Sequence, residues 1–342
     1  MAAGIIAAVV FGAAFFFFIP RTVNIAKHHK TDSIAASLPE ASQRLLPQAN
    51  GTLCAEKHPP PRAIAVMLAG DTVTRPLSGI GRADIVVEMP VVTGSITRFM
   101  AIFQCTDAAE IGSIRSARDD FIPLAAGFDA IYAHWGGSHF ALDELRRGVI
   151  DNIDALRNPY GAYFRKTGVS APHNGFSSLE RLNTAAEKLG YRLVSQFLGY
   201  TAAQKGSLHN DGARALRLTI GHSGAYRVEW HYDAEKGRYL RWRGGTPEID
   251  AITQKQVEAG TVAVMRSTSR QIEGQYNDVR VTGEGEATVF RLGEAVSGIW
   301  RKEAQPLSSP LRFLDADGKE ISFSPGALWI EIVEKTTPVI IE

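Results

Sequence analysis

The chain is poor in features that announce a cofactor or a familiar catalytic apparatus. It has two cysteines, Cys54 and Cys105, among 342 residues. With no third or fourth ligand at metal spacing, a zinc site is not indicated. The pair leaves two readings open. They are unrelated thiols, or they form one disulfide between the segment entering the first strand and the end of the third, which suits an oxidising compartment. No Gly-x-Ser-x-Gly elbow is present, so an α/β-hydrolase reading lacks its nucleophile. There is no P-loop and no Gly-x-Gly-x-x-Gly fingerprint after a predicted strand. The formal net charge is +1, so nucleic acid is not an expected partner. A local basic pocket remains compatible with that balance. No internal repeat is visible.

One long apolar run is present. Residues 2–19, AAGIIAAVVFGAAFFFFI, carry no charge. As a helix such a run spans about 27 Å, close to the hydrocarbon thickness of a bilayer. The stretch FFFFIP lacks the small-residue pattern of a cleavage site. Residues 1–20 are therefore expected to be a transmembrane anchor or signal-anchor. Arg21, Lys27 and Lys30 follow the run and no Lys or Arg precedes it. Charge alone would thus leave the body in the cytoplasm. Residues 21–60 read as a flexible polar tether, ending in the stiff HPPPR.

Order is predicted from residue 61. The segments AIAVMLA (63–69), DIVVEM (84–89), ITRFMAIF (96–103) and DAIYAHW (129–135) read as buried strands. Between and after them lie helical signals. Ser116 is a candidate cap before DDFIPLAAGF, where Pro123 predicts a short or kinked helix. The glycines of HWGGSH lead into FALDELRRG, and SSLE (177–180) opens LERLNTAAEKLG. Residues 61–200 are expected to form an α/β domain with a mixed sheet. Residues 201–212 are the expected linker. Residues 213–342 show short alternating stretches such as YRVEWHY, RYLRW and LWIEIVE, which predict a mainly antiparallel all-β domain. Trp230, Trp242, Trp300 and Trp329 are assigned to its packing.

Polar residues gather just beyond the predicted strand ends of the first domain, where α/β sheets hold ligands. Candidate ligand-binding residues are Arg98, Arg115, Ser116, Arg118, Ser138, Asp151, Asn152, His173 and Asn174. Arginine recognises phosphate or carboxylate with a planar fork, and a helix start adds unpaired N–H groups. The competing reading pairs Arg115 and Arg118 with Glu110, Asp119 or Asp120 on the surface. His134, at a strand end, is a candidate general base or a histidine satisfied by a backbone carbonyl. Ser138 suits a helix cap. No local spacing supports a metal site from Asp84, His134 and His173.

Several blocks carry a family resemblance. RAIAVMLAGDTVTRPLSGIGRADIVVEMPVVTGSITRFMAIFQ, IGSIRSARDDFIPLAAGFDAIYAHWGGS, VIDNIDAL and APHNGF resemble the YerB-like bacterial lipoproteins. GRYLRWRGGTPEIDA and SPLRFLDADGKEISFSPGALWIEIV resemble that family's C-terminal domain. The resemblance covers roughly residues 60–335. It implies a membrane-tethered, two-domain envelope protein with its body outside the cytoplasm, and no established reaction; together with the apolar run, the expectation is a single-pass membrane protein. The chain departs from the lipoprotein pattern, because Cys54 lies in no lipid-attachment box. The order RADI, IRSARD, DAIYAHWGG is also similar to the layout of the LytR-CpsA-Psr envelope phosphotransferases. That similarity implies Arg82 and Asp84 beside a divalent metal–pyrophosphate, Arg115 and Arg118 on phosphate, and His134 or Asp84 in catalysis. Three functions are thus expected in competition: an anion-binding envelope protein, a phosphotransferase acting on a lipid-linked glycan, and a scaffold for another envelope protein.

Overall fold

The computed structural model describes residues 59–92, 96–203, 213–221, 224–274 and 276–342, with Met1 and the backbone of Arg44–Leu45. Contacts divide the chain into Met1–Glu40 and Ala41–Glu342. The expected anchor and Cys54 lie outside the described residues. Among the described residues no helix is long and apolar enough to cross a membrane. Cys105 is disulfide-bonded. Within the expected tether, Arg44–Leu45 form a short antiparallel pair with Tyr200–Thr201.

The first half supplies β1 (Ile64–Ala69), β2 (Ile85–Pro90), β3 (Thr97–Phe103), β4 (Ile131–His134) and β5 (Asn152–Asp154). Strands β1 to β4 are buried at every position, as their unbroken apolar runs require. Three helices accompany them: α1 (Ile122–Gly127), α2 (His139–Arg146) and α3 (Leu179–Lys188). Pro123 sits in the first turn of α1, where its missing N–H costs nothing, and the helix is one of six residues. Ser138 caps α2 and Ser178 caps α3, each through its side-chain oxygen. Ser116 does not cap a helix. The helical turn starts three residues later, at Asp119, after Arg118 in extended conformation.

The second half supplies β6 (Arg217–Ile220), β7 (Val228–Asp233), β8 (Arg238–Arg243), β9 (Thr261–Ser267), β10 (Gly283–Arg291), β11 (Glu294–Lys302), β12 (Leu328–Glu334) and β13 (Val339–Ile341). Its strands do not all stay together. β13, β6, β7 and β8 form an antiparallel sheet of their own. The others join the first half in one eleven-stranded mixed sheet that includes the run β11, β10, β9, β12, β2, β3, β1, β4, β5. The junction is the parallel pair β12–β2, with Leu328 opposite Ile85 and Glu331 opposite Glu88. The change of sequence pattern therefore marks a change of element type within one continuous sheet.

Side chains alternate between the two faces of that sheet. Val66, Phe99, Ala101 and Trp329 face α3 and the smaller sheet. Met67, Met100, Ile102, Tyr132 and Ile330 face α1 and α2. Trp230, Trp300 and Trp329 are fully buried, and Trp242 stacks on His231 with centroids 4.0 Å apart.

Candidate functional site

The stretch Ser113–Ala117 is laid across the carboxyl ends of two parallel strands. The Ala69 N–H at the end of β1 donates to Ser113 (3.0 Å), and Arg115 N–H donates to Met67 (2.9 Å). On its other side, Trp135 N–H donates to Arg115 (3.0 Å) and Ala117 N–H to Gly136 (2.8 Å). Gly136 makes this possible with φ of +61°, a conformation a side chain strongly disfavours. Both edges of the segment are thus pinned by backbone bonds. Arg115 and Arg118 are held at the rim of the sheet with little freedom.

Arg98, second residue of β3, reaches the same rim from the sheet itself, opposite Ala69 of β1. Its Nη1 donates to the Ser116 carbonyl (3.0 Å). Arg118 donates to the Ala117 carbonyl (2.9 Å) and lies 5.3 Å from the centroid of Tyr276. Arg115 donates to the Pro172 carbonyl (3.3 Å), and its Nε is 4.0 Å from Asp71 Oδ2. Among the described residues neither Arg98 nor Arg118 has a carboxylate within 4.0 Å. The Nε atoms of all three arginines are buried without a hydrogen-bond partner there. Burial, then Arg118 and Arg115, bring the Arg98 guanidinium down to about 9. Burial also lowers Arg118, opposed by Tyr132, Tyr276 and Asp119.

Beside them lie Tyr132, which sequence reasoning missed, and Asp120, which it offered only as a surface partner of the arginines. The Tyr132 hydroxyl accepts from Arg118 N–H (3.3 Å), and burial raises its phenol so that it stays neutral. Asp120 Oδ2 accepts from Val279 N–H (3.1 Å). Burial first, then Asp119, push Asp120 up to about 8, which removes much of its charge at neutral pH. Asp71 was missed too, although its position just beyond β1 obeys the strand-end rule. Tyr276 comes from the second half, and no local signal could have placed it.

The remaining candidates divide. His173 adjoins the site through Pro172, and its Nδ1 is buried without a partner among the described residues. Asn174 instead accepts from Arg165 (2.6 Å). Ser138 caps α2 and donates to Asp119 (3.2 Å). Asp151 lies at the opposite rim, where it binds Arg62, because β5 runs parallel to β4 and Asp151 precedes it. His134 is fully buried. Its Nδ1 is 2.8 Å from the Gly136 carbonyl and its Nε2 is 3.3 Å from Asn152 Oδ1. Burial lowers its pKa, so it is a neutral residue tying two strand ends.

Asp84 is also remote from the arginines. It sits before β2, beside Ile102, while Arg98 is opposite Met89 at the far end of that strand. Its Oδ2 accepts from the Gln104 and Cys105 amides (2.7 and 3.0 Å). The phosphotransferase layout, which needs Asp84 near Arg115 and Arg118, is not assembled. Among the described residues no group of three or more His, Cys, Asp or Glu could hold a metal ion.

Residues 50–192 match the family described as "Protein of unknown function (DUF3048) N-terminal domain", and residues 217–330 match its C-terminal domain. The chain is 29% identical over 299 residues to "Putative lipoprotein YerB" of Bacillus subtilis (strain 168), covering 87% of this chain and 88% of that protein. It also superposes on the crystal structure of the YerB protein from Bacillus subtilis with a TM-score of 0.73 and 27% identity. That match covers 83% of this chain and 96% of the other. With both domains matched in order and the fold shared, the chain belongs to the YerB-like DUF3048 family.

Proposed function

We propose that this protein is a membrane-anchored envelope protein with its body outside the cytoplasm. In this reading, its first half binds an anionic ligand, phosphate- or carboxylate-bearing, through Arg98, Arg115 and Arg118. The location rests on the likeness to a relative named as a lipoprotein and on the apolar run at residues 2–19. The binding rests on one observation: Arg98 and Arg118 are mostly buried, Arg118 is close enough to lower the proton affinity of Arg98, and neither has a carboxylate within 4.0 Å among the described residues. A buried guanidinium costs several kcal/mol unless a counter-charge offsets it. An anion at this rim supplies that counter-charge, and the unpaired Nε donors offer it hydrogen bonds.

The test is a thermal-shift titration of the full chain with pyrophosphate and with citrate. At least one anion is expected to raise the midpoint, and Arg115→Gln with Arg118→Gln to abolish the rise. No shift with either anion, or an equal shift in the double variant, rejects the reading and returns the arginines to a structural role.

A further inference from the structure

A second basic site lies at the other end of β2. A cleft of about 630 Å³ is lined there by Arg82, Lys236, Arg238 and Lys255, with Glu258 as its one carboxylate. Most of its lining residues are polar or charged, with Ile252 and Ala327 the apolar ones among them. The four cations come from three separate parts of the chain: the turn before β2, the β7–β8 hairpin and the loop after β8. Lys236 is 3.6 Å from Asp233. Arg82, Arg238 and Lys255 meet no carboxylate within 4.0 Å among the described residues.

The cleft is built rather than accidental. Asp250 is fully buried beneath it. Its Oδ2 accepts from Gly81 N–H (3.0 Å), and its Oδ1 from Ile252 and Thr253 (2.9 and 2.8 Å). One carboxylate therefore fastens the turn carrying Arg82 to the loop carrying Lys255. On the other wall, Arg238 packs over Gly326. That residue has φ of +113°, and a Cβ there would stand 3.0 Å from the Arg238 Nε. Glycine keeps the space that the guanidinium occupies.

We infer that this cleft binds a linear, multiply charged phosphate chain. A single phosphate is too small to meet cations on three walls of a cavity this large, whereas successive phosphates along a chain reach each wall in turn. Exposed lysine acts as a hydrated point charge without a fixed fork, so attraction here sums over several charges and is screened by salt. The site shares no residue with the Arg98 cluster and does not depend on it.

Calorimetric titration of the full chain with inorganic tripolyphosphate tests this. Binding is expected at low salt and to weaken about tenfold or more at 0.3 M salt. The titrations are made in the Arg98→Met background, so that the rim cluster does not contribute; there Arg82→Ser with Lys255→Ser, both at exposed positions, should weaken binding at least tenfold. Orthophosphate should bind at least tenfold more weakly. Equal binding by the double variant, or by orthophosphate, overturns the inference. Cosedimentation with phosphatidylglycerol vesicles that depends on Arg82 and Lys255, without tripolyphosphate binding, overturns it in favour of a lipid surface.

Discussion

Thr97 and Arg98, consecutive on β3, point through opposite faces of the central sheet into opposite charge environments. The Thr97 hydroxyl donates to Glu88 and accepts from Arg243 (2.7 Å). On that face Arg241 meets Glu88, Glu248 and Glu331, and Arg243 meets Glu88, so buried cations and carboxylates compensate one another. Arg98, one residue on, has no carboxylate within 4.0 Å among the described residues; it donates to the Ser116 carbonyl, and Arg118 and Arg115 each oppose its charge more than Asp71 supports it. The alternation of a strand is enough to separate a closed ionic layer from an open cationic one.

Arg98→Met should therefore uncouple stability from binding. The guanidinium is desolvated and repelled by Arg118 and Arg115, with weaker support from Asp71 and Tyr132, and among the described residues it donates to the Ser116 carbonyl. Methionine fills similar space without charge. The thermal midpoint without added anion is expected to stay level or rise by about 1–3 °C. Stabilisation by pyrophosphate should disappear. A large fall in midpoint would instead show that Arg98 is held by favourable contacts.

On the other face the same kind of change should be severe. Arg241 is fully buried between three carboxylates, and its Cζ lies 4.2 Å from the centroid of Trp329. Arg241→Met would leave Glu88, Glu248 and Glu331 buried without their shared cation. The expected cost is about 3–5 kcal/mol by chemical denaturation. Glu331→Gln should cost far less. Burial pushes Glu331 up, against the pull of Arg241, to about 7, so its neutral form is already accessible. Its Oε1 accepts from Trp230 Nε1 (3.0 Å), a bond that glutamine retains. Equal losses for the two variants would contradict this account.

His134→Gln is expected to destabilise by about 1–3 kcal/mol, the cost of disturbing buried polar partners. Its effect on anion binding should be slight, because both ring nitrogens are spent on Gly136 and Asn152. Titrating pyrophosphate into this variant checks the point. A lost anion response with unchanged stability would restore His134 to the site.

How much of this was legible depends on the range of each signal. β1 to β4 could be read because a strand buried on both faces is an unbroken apolar run. α3 could be read because Ser178 and its following turn carry a local cap. Arg98, Arg115 and Arg118 followed from the strand-end rule. Asp151 failed under that same rule, because the direction of β5 decides which end faces the crevice. Asp84 came from the phosphotransferase similarity instead, and it sits at the other end of β2 from Arg98, since β2 runs antiparallel to β3. The pairing of Ile85 with Leu328 left no local mark, so the merger of the two halves was invisible. Tyr276 and Val279 reach the site only through that merger.

Asp120 supplies a prediction in which pH is the variable. Its folded value of about 8 lies well above the usual carboxylate range, through burial and the nearby Asp119. Asp278 adds to the rise, while Val279 N–H and Arg118 oppose it. A group raised on folding holds its proton in the native state after the unfolded chain has released it. Its contribution to stability is complete below about pH 4 and is lost progressively up to about pH 8. Asp120→Asn keeps a neutral acceptor for Val279 N–H and removes this penalty. The variant should thus match the parent near pH 4 and exceed it by pH 8, by about 2 °C or more in thermal midpoint. Taking the difference between variant and parent cancels the titration of every other carboxylate. A difference that stays constant from pH 4 to pH 8 would mean that Asp120 is charged in the folded protein. The rim would then already hold an internal counter-ion, and the case for an external anion would weaken with it.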